Sequence, residues 1–305
     1  MKKLLTFLLI IFMAGALVLT GCGSDEPVAV ENEGQSESAD YADGIYFVQE
    51  DGFASSGYKY FVVLTVENSA ITDAYWGGTN IVPQGNKRTD SENGNYPMVA
   101  AGGAAADWHV QAEAAEVWLL ENQDPAAFEE FYTDEEGHTD ELQTDAGTQV
   151  SIHVSEFFSL AEKALASDPV PAGEYETPED YVATAEFPAE DNGWSYKGEF
   201  IVVNGTIVDA LFNAAFEGEF SEETAGYFNI GADGNPNPES PSSKLELEEA
   251  YGMPWYAQAN ASADYVVSNQ GFDVNYIDDE GHTDSISGVS IHVNEFEELF
   301  NKAFE

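Results

Sequence analysis

The sequence predicts an α+β fold: two tandem domains, each an antiparallel sheet with packed helices and a C-terminal amphipathic helix. Three observations carry the prediction. Apolar, β-branched runs meet at Asn-Ser in one half (Val66-Glu67-Asn68-Ser69-Ala70-Ile71) and at Asn-Gly in the other (Val202-Val203-Asn204-Gly205-Thr206-Ile207), the pattern of a tight β-hairpin. Segments with helical spacing follow these runs. Four blocks also recur in the same order: FVVLTVENSAITDAYW with EFIVVNGTIVDALF, Trp108-His109-Val110-Gln111-Ala112 with Trp255-Tyr256-Ala257-Gln258-Ala259, DEEGHTD from Asp134 with DDEGHTD from Asp278, and Val150-Ser151-Ile152-His153-Val154 with Val289-Ser290-Ile291-His292-Val293.

The chain opens with MKKLLTFLLIIFMAGALVLTGC, in which two lysines precede an apolar run and small residues lead to Cys22. That is the order of parts in a secretory signal over residues 1–21. The run is close to the lower limit for spanning a bilayer, so an uncleaved anchor is the alternative. Leu19-Thr20-Gly21-Cys22 resembles the lipobox at which bacterial lipoproteins are cut and diacylglycerated. This resemblance implies a palmitate-type lipid anchor at Cys22 and a place on the extracellular face of the cytoplasmic membrane. Residues 22–42, poor in large apolar side chains, read as a flexible tether.

The first copy is expected over 43–167 and the second over 179–305. The Pro/Gly-rich stretch 168–178 forms a linker between them. In the first copy the helix formers from Ala104 to Leu120 place Val110, Ala114, Val117 and Leu120 on one face, with Asp107 as N-cap. Each copy closes on a helix, with Val154, Phe157, Leu160, Ala161 and Leu165 sharing a face in one and Val293, Phe296, Leu299, Phe300 and Ala303 in the other.

Composition narrows the function. The 305 residues hold 9 Lys+Arg against 57 Asp+Glu, a formal net charge of -48. Such a field repels nucleic acid and anionic headgroups, and neither is expected as a partner. Hydrophobic residues make up 43% and aromatic residues 13%, which suits a globular chain rather than a disordered one. Cys22 is the only cysteine; once lipidated, it leaves no thiol for disulfides, Fe–S clusters, c-type haem or thiolate catalysis. Any redox role then needs an organic cofactor.

The loop before the final helix reads Asp284-Ser285-Ile286-Ser287-Gly288-Val289-Ser290 in the second copy and Asp145-Ala146-Gly147-Thr148-Gln149-Val150-Ser151 in the first. It resembles the flavinylation motif of the FMN-binding domain family: an Asp, then Ser or Thr, Gly, a small residue, and an acceptor Thr or Ser ahead of an amphipathic helix. The whole mature chain is similar to the tandem FMN-binding surface lipoproteins of Gram-positive bacteria, through its layout and its Trp-x-x-Gln-Ala and Asn-Glu-Phe blocks. The resemblance implies FMN joined by a phosphoester to Ser290 and to Ser151, attached by a flavin transferase that uses FAD and Mg²⁺. Asp284 and Asp145 then hold the place of the leading acid, Ser287 and Thr148 offer hydroxyls to the phosphate, and Gly288, next to Val289, allows a close backbone approach. Thr148 is the alternative acceptor in the first copy, where Gln149 replaces the motif glycine. A hydroxyl ahead of a helix sets an attached phosphate near unpaired N–H groups and the positive end of the dipole. A serine that merely opens a helix is the plain alternative.

The resemblance further implies an electron carrier rather than an enzyme. Such a carrier takes electrons from a membrane NADH dehydrogenase and the quinone pool and passes them to extracellular acceptors such as ferric species. A ligand-binding surface lipoprotein without redox work, or the flavin subunit of a surface reductase, are the rival readings. A flavin ring needs a flat apolar slot with some polar edge. Trp108 with Gln111, Trp255 with Gln258, Met98, Met253, Gly102 and Gly103 are the expected walls, with plain core packing as the alternative for the tryptophans. The histidines show no linear zinc spacing, and no metal site is expected from them. The acids Asp134, Glu136 and Asp140, and Asp278, Glu280 and Asp284, lack the placement of a calcium loop and read as solvated turns.

Overall fold

The structure is a computed structural model that describes residues 41–247 and 255–305. The expected signal over 1–21, Cys22, nearly all of the 22–42 tether and Met253 lie outside the described residues. The fold is mixed α and β, with three small antiparallel sheets and several helices, compatible with the α+β class.

Strands β1 (Gly44–Gln49), β2 (Tyr58–Glu67) and β3 (Ala70–Asn80) form an antiparallel sheet in that order. Helices α1 (Lys87–Glu92) and α2 (Trp108–Asn122), a 3₁₀ segment (Pro125–Phe131) and helix α3 (Ser155–Leu165) follow. The second half repeats the sheet as β4 (Val182–Glu186), β5 (Trp194–Val203) and β6 (Thr206–Phe216). It then inserts a hairpin of β7 (Phe228–Ile230) and β8 (Pro236–Pro241) before α4 (Trp255–Asn269) and α5 (Asn294–Ala303).

Both long hairpins turn on two consecutive left-handed residues, Asn68 (φ 54) and Ser69 (φ 62) in one and Asn204 (φ 52) and Gly205 (φ 75) in the other. Positive φ at both central positions is what the twist of a two-residue hairpin demands, and asparagine and glycine supply it most readily. The residue after each long helix also repeats. Gln123 brackets Ile71 with its side-chain amide, accepting from the Ile71 N–H at 2.7 Å and donating to its carbonyl at 3.0 Å. Gln270 does the same to Ile207, at 2.9 Å both ways. Each glutamine thereby ties the end of its helix to the start of the third strand of its sheet.

The described residues belong to one compact unit. Val62, Leu64 and Val66 of β2 pack with Trp76 and helices α2 and α3, while Phe61 and Val63, on the opposite face, pack with Val182, Ile201 and Val203. Phe200 and Val202 of β5 likewise face Phe296 and Leu299 of α5. Each sheet is thus covered on both faces, which explains why β2 and β5 read as continuous apolar runs instead of alternating ones. The 168–178 stretch is strapped down on this shared body. Val170 donates to Ile45 O at 2.7 Å, and Gly173 donates to Asn204 O at 2.9 Å. A Cβ on Gly173 would meet the Gly205 carbonyl oxygen at 2.0 Å, so only glycine fits there.

Helix α2 departs from the expected pattern in its buried face and in its cap. The buried face of α2 is Trp108, Gln111, Ala112, Ala115, Glu116 and Leu119, whereas Val117 is 42% exposed and Val110, Ala114 and Leu120 are only half-buried. Apolar spacing misjudged the face because two of its residues are polar and satisfied. Glu116 accepts from Trp76 N at 2.6 Å and pairs with Arg88, and Gln111 serves the site described below. Asp107 does precede the helix, but its side chain accepts from Val99 N at 2.9 Å instead of capping. No helix among the described residues is long and apolar enough to cross a membrane.

Candidate functional site

The two motif serines occupy equivalent places. Gln111 is fully buried, and its Oε1 accepts from the backbone N of Ser151 at 2.6 Å and from its hydroxyl at 3.2 Å. Gln258 holds Ser290 at the same two distances and also accepts from Ile291 N at 3.2 Å. The glutamines, expected as pocket walls, are therefore clamps that fix the loop from behind. Both serines are exposed.

Each serine lies on the rim of a pocket. The one at Ser290 has a volume of about 330 Å³ and is lined by Tyr196, Trp255, His282, His292 and Phe296 among others. The one at Ser151 is about 210 Å³, with Tyr60, Trp76, Lys87, Met98 and Trp108 in its lining. The first reaches the lower end of ordinary ligand cavities, roughly 300–1,000 Å³. Tyr60 and Trp108 are stacked, with ring centroids 5.9 Å apart and planes 12° from parallel. Trp255 meets Phe296 edge to face at 5.9 Å. Trp108, only 2% exposed, is core and wall together.

The helix dipole is farther from the serines than expected. Helices α3 and α5 begin at Ser155 and Asn294, with Val154 and Val293 as caps, so Ser151 and Ser290 sit in the loop and not in the first turn. Their own N–H groups are already spent on glutamine. The motif acids are not in the pockets either. Asp145 is exposed on a hairpin closed by Thr144 N to Thr148 O at 2.9 Å, and Asp284 and Ser287 are exposed. By structure Asp284 matches Asp140, since Thr283 and Thr139 make the same bonds on either side: Thr283 Oγ1 to Asn275 O and Thr139 Oγ1 to Phe131 O, both 2.8 Å. Five more residues separate the histidine loop from the serine in the first copy. The backbone reversal made by Gly288 (φ +82) is made there by Gly147 (φ +72), and Gln149 braces the longer loop through Thr139 O and Leu142 O at 3.0 Å each. Val289 is core. Gly102 is exposed, and Gly103 lines a neighbouring apolar pocket with Tyr96 and Met98.

Sequence reasoning missed the cation in each site. Lys87 is 3% exposed, donates to the Tyr60 hydroxyl at 2.6 Å, and sits 4.3 to 5.3 Å from the ring centroids of Tyr58, Tyr96, Tyr60 and Trp108. Lys244 bonds Tyr196 and lies over the rings of Tyr196 and Trp255 at 4.3 and 5.1 Å. Burial pushes each ammonium down to about 8. At neutral pH both remain mostly charged, held by aromatic faces and a phenol oxygen. The two lysines come from unlike segments, the first residue of α1 and the stretch after β8, yet reach equivalent tyrosines. Their scarcity was the available signal, since the chain has only 9 basic residues.

No family model matches the chain, and no curated protein matches it. Two solved structures are similar to part of it. One is the solution NMR structure of a protein from Clostridium thermocellum, 42% identical, covering 42% of this chain and 94% of its own, with a TM-score of 0.31. The other is the crystal structure of a protein from Clostridium perfringens, 22% identical, covering 41% of this chain and 87% of its own, with a TM-score of 0.29. Neither protein's name states an activity.

Proposed function

We propose that this chain is a cell-surface electron carrier built from two FMN-binding domains, lipid-anchored through Cys22 and holding FMN covalently at Ser290 and Ser151. The observation that carries the reading is the repeated arrangement of an exposed serine, clamped by a buried glutamine, on the rim of an aromatic pocket backed by a buried lysine. The residues fit a flavin in kind. The walls are mainly aromatic, with one carboxylate in each lining, Glu295 or Glu156, and Trp76, whose indole N–H is buried without a partner among the described residues, lines the Ser151 pocket as a donor for a ring acceptor.

When bound, the flavin supplies the one- and two-electron chemistry. The chain's own groups attach, place and tune it. Ser151 and Ser290 offer the hydroxyls for the phosphoester, and the glutamine clamps fix where those oxygens point. The tyrosine, tryptophan and phenylalanine walls exclude water from one face. Lys87 and Lys244 set a positive charge beside the site, which favours the negative charge that reduction adds. The acidic surface works in the opposite direction and steers cationic acceptors such as ferric species toward the protein.

The test is expression with a flavin transferase, FAD and Mg²⁺, followed by visible spectroscopy of the denatured, washed protein. A retained flavin band that bleaches on reduction and returns with a ferric acceptor supports the carrier. A colourless product would favour a ligand-binding lipoprotein without redox work.

A further inference from the structure

We infer that each half carries a binding site for a divalent transition-metal ion of the zinc class, formed by Glu136, His138 and His153 in the first and by Glu280, His282 and His292 in the second. In each triad one ligand atom per residue can be chosen so that all three lie within 4.8 Å of one another. His153 Nε2 lies 3.9 Å from Glu136 Oε2 in the first, and Glu280 Oε2 lies 4.0 Å from the His282 ring in the second.

The loop is shaped to present these imidazoles. Asp134 Oδ1 accepts from Glu136 N at 3.0 Å and His138 N at 3.1 Å, and its Oδ2 takes the His138 Nδ1–H at 2.6 Å. Asp278 repeats all three bonds to Glu280 and His282, at 3.0, 3.1 and 2.7 Å. A carboxylate bound to Nδ1 fixes the tautomer that leaves Nε2 as the lone pair, the usual support of a metal-binding histidine. Gly137 and Gly281 then bring this loop onto the loop segment that holds the second histidine, just ahead of the final helix of each half. Their carbonyls accept from Val154 N and Val293 N at 2.9 Å. A Cβ at either glycine would lie about 2 Å from Ser155 Oγ or Asn294 Oδ1, so no larger residue allows this approach. The imidazoles meet edge to face with centroids 4.3 Å apart in both halves, His138 with His153 and His282 with His292.

Two imidazoles and one carboxylate select a borderline transition ion over Ca²⁺ or Mg²⁺, which prefer all-oxygen shells. Three protein ligands leave positions for water or an exogenous ligand. His153 lines the Ser151 pocket, and His282 and His292 line the Ser290 pocket, so a bound ion stands at each pocket mouth. The inference does not depend on the flavin reading.

The test is proton NMR and calorimetry of the unmodified mature protein with Zn²⁺, in high salt with excess Mg²⁺ to saturate the acidic surface. The chain has five histidines, and the fifth, His109, bonds Ser91 Oγ on α1 and is an internal reference. The expected result is two Zn²⁺ per chain, with the imidazole signals of His138, His153, His282 and His292 shifted and those of His109 unmoved. His153→Ala and His292→Ala should each remove one equivalent. No Zn²⁺ uptake above the Mg²⁺ background, or uptake that leaves the four imidazoles unshifted, would overturn the inference.

Discussion

Gln258 Oε1 lies 2.6 Å from the backbone nitrogen of Ser290, and Gln111 Oε1 lies at the same distance from that of Ser151. A side-chain carbonyl buried in a helix face is thus what sets each serine loop. Gln258→Leu leaves that amide without its acceptor, at a cost of about 1–3 kcal/mol. Chemical denaturation should show the loss, and flavin attachment at Ser290 should fall while attachment at Ser151 persists. Equal attachment at both serines in the variant would mean that the clamp does not position the acceptor.

Lys87 and Lys244 should raise the potential of a flavin held beside them. Lys87→Met and Lys244→Met should each lower it at one site, on the order of tens of millivolts for a partly screened charge. Spectroelectrochemistry of single-site proteins measures this directly. The wild-type potential should also drop more steeply with pH through about 8, where the ammonium groups lose their protons, and the methionine variants should lack that extra slope.

Glu199, buried between the halves with its carboxylate accepting from Gly85 N at 3.1 Å, has its pKa pushed by burial up to about 8. An acid whose folded pKa is raised binds its proton more tightly in the folded state. The stability it contributes is present at acid pH and is lost as pH rises from the ordinary carboxylate range through 8. Glu199→Gln should flatten that decline relative to wild type. Parallel stability profiles for the two proteins over pH 4.5–8 would contradict it.

Phe61 and Ile201 belong to a core shared by both sheets. Phe61→Ala, at a fully buried position, should cost about 3–5 kcal/mol. Calorimetry should show the whole transition moving as one. Unfolding in two separate steps, with only the first half affected, would mean that the halves are thermodynamically independent.

The hairpins, the long helices and the serine loops were legible because each is a local pattern, and the repeat marks them twice. The buried face of α2 was not, because Gln111 and Glu116 are polar and their partners, Ser151 N and Trp76 N, are distant in sequence. The histidine pairs escaped a reading by spacing because a carbonyl bridge from Gly137 to Val154 joins two loops. The lysines escaped the repeat because little beyond Lys87 and Lys244 themselves and the Tyr-x-Met after each recurs between the two segments, and the β7–β8 insertion precedes only Lys244. The β7–β8 hairpin was also invisible, since a strand reading PNPESP contradicts strand propensity and is tolerated only at an edge.

The central claim, covalent flavin on both motif serines, is tested most directly by the intact mass of the mature protein made with a flavin transferase, beside Ser151→Ala and Ser290→Ala. The account predicts two FMN-sized increments in the wild type, one in each single variant and none in the double variant. Increments that survive the double substitution, or their absence from the wild type, would contradict it.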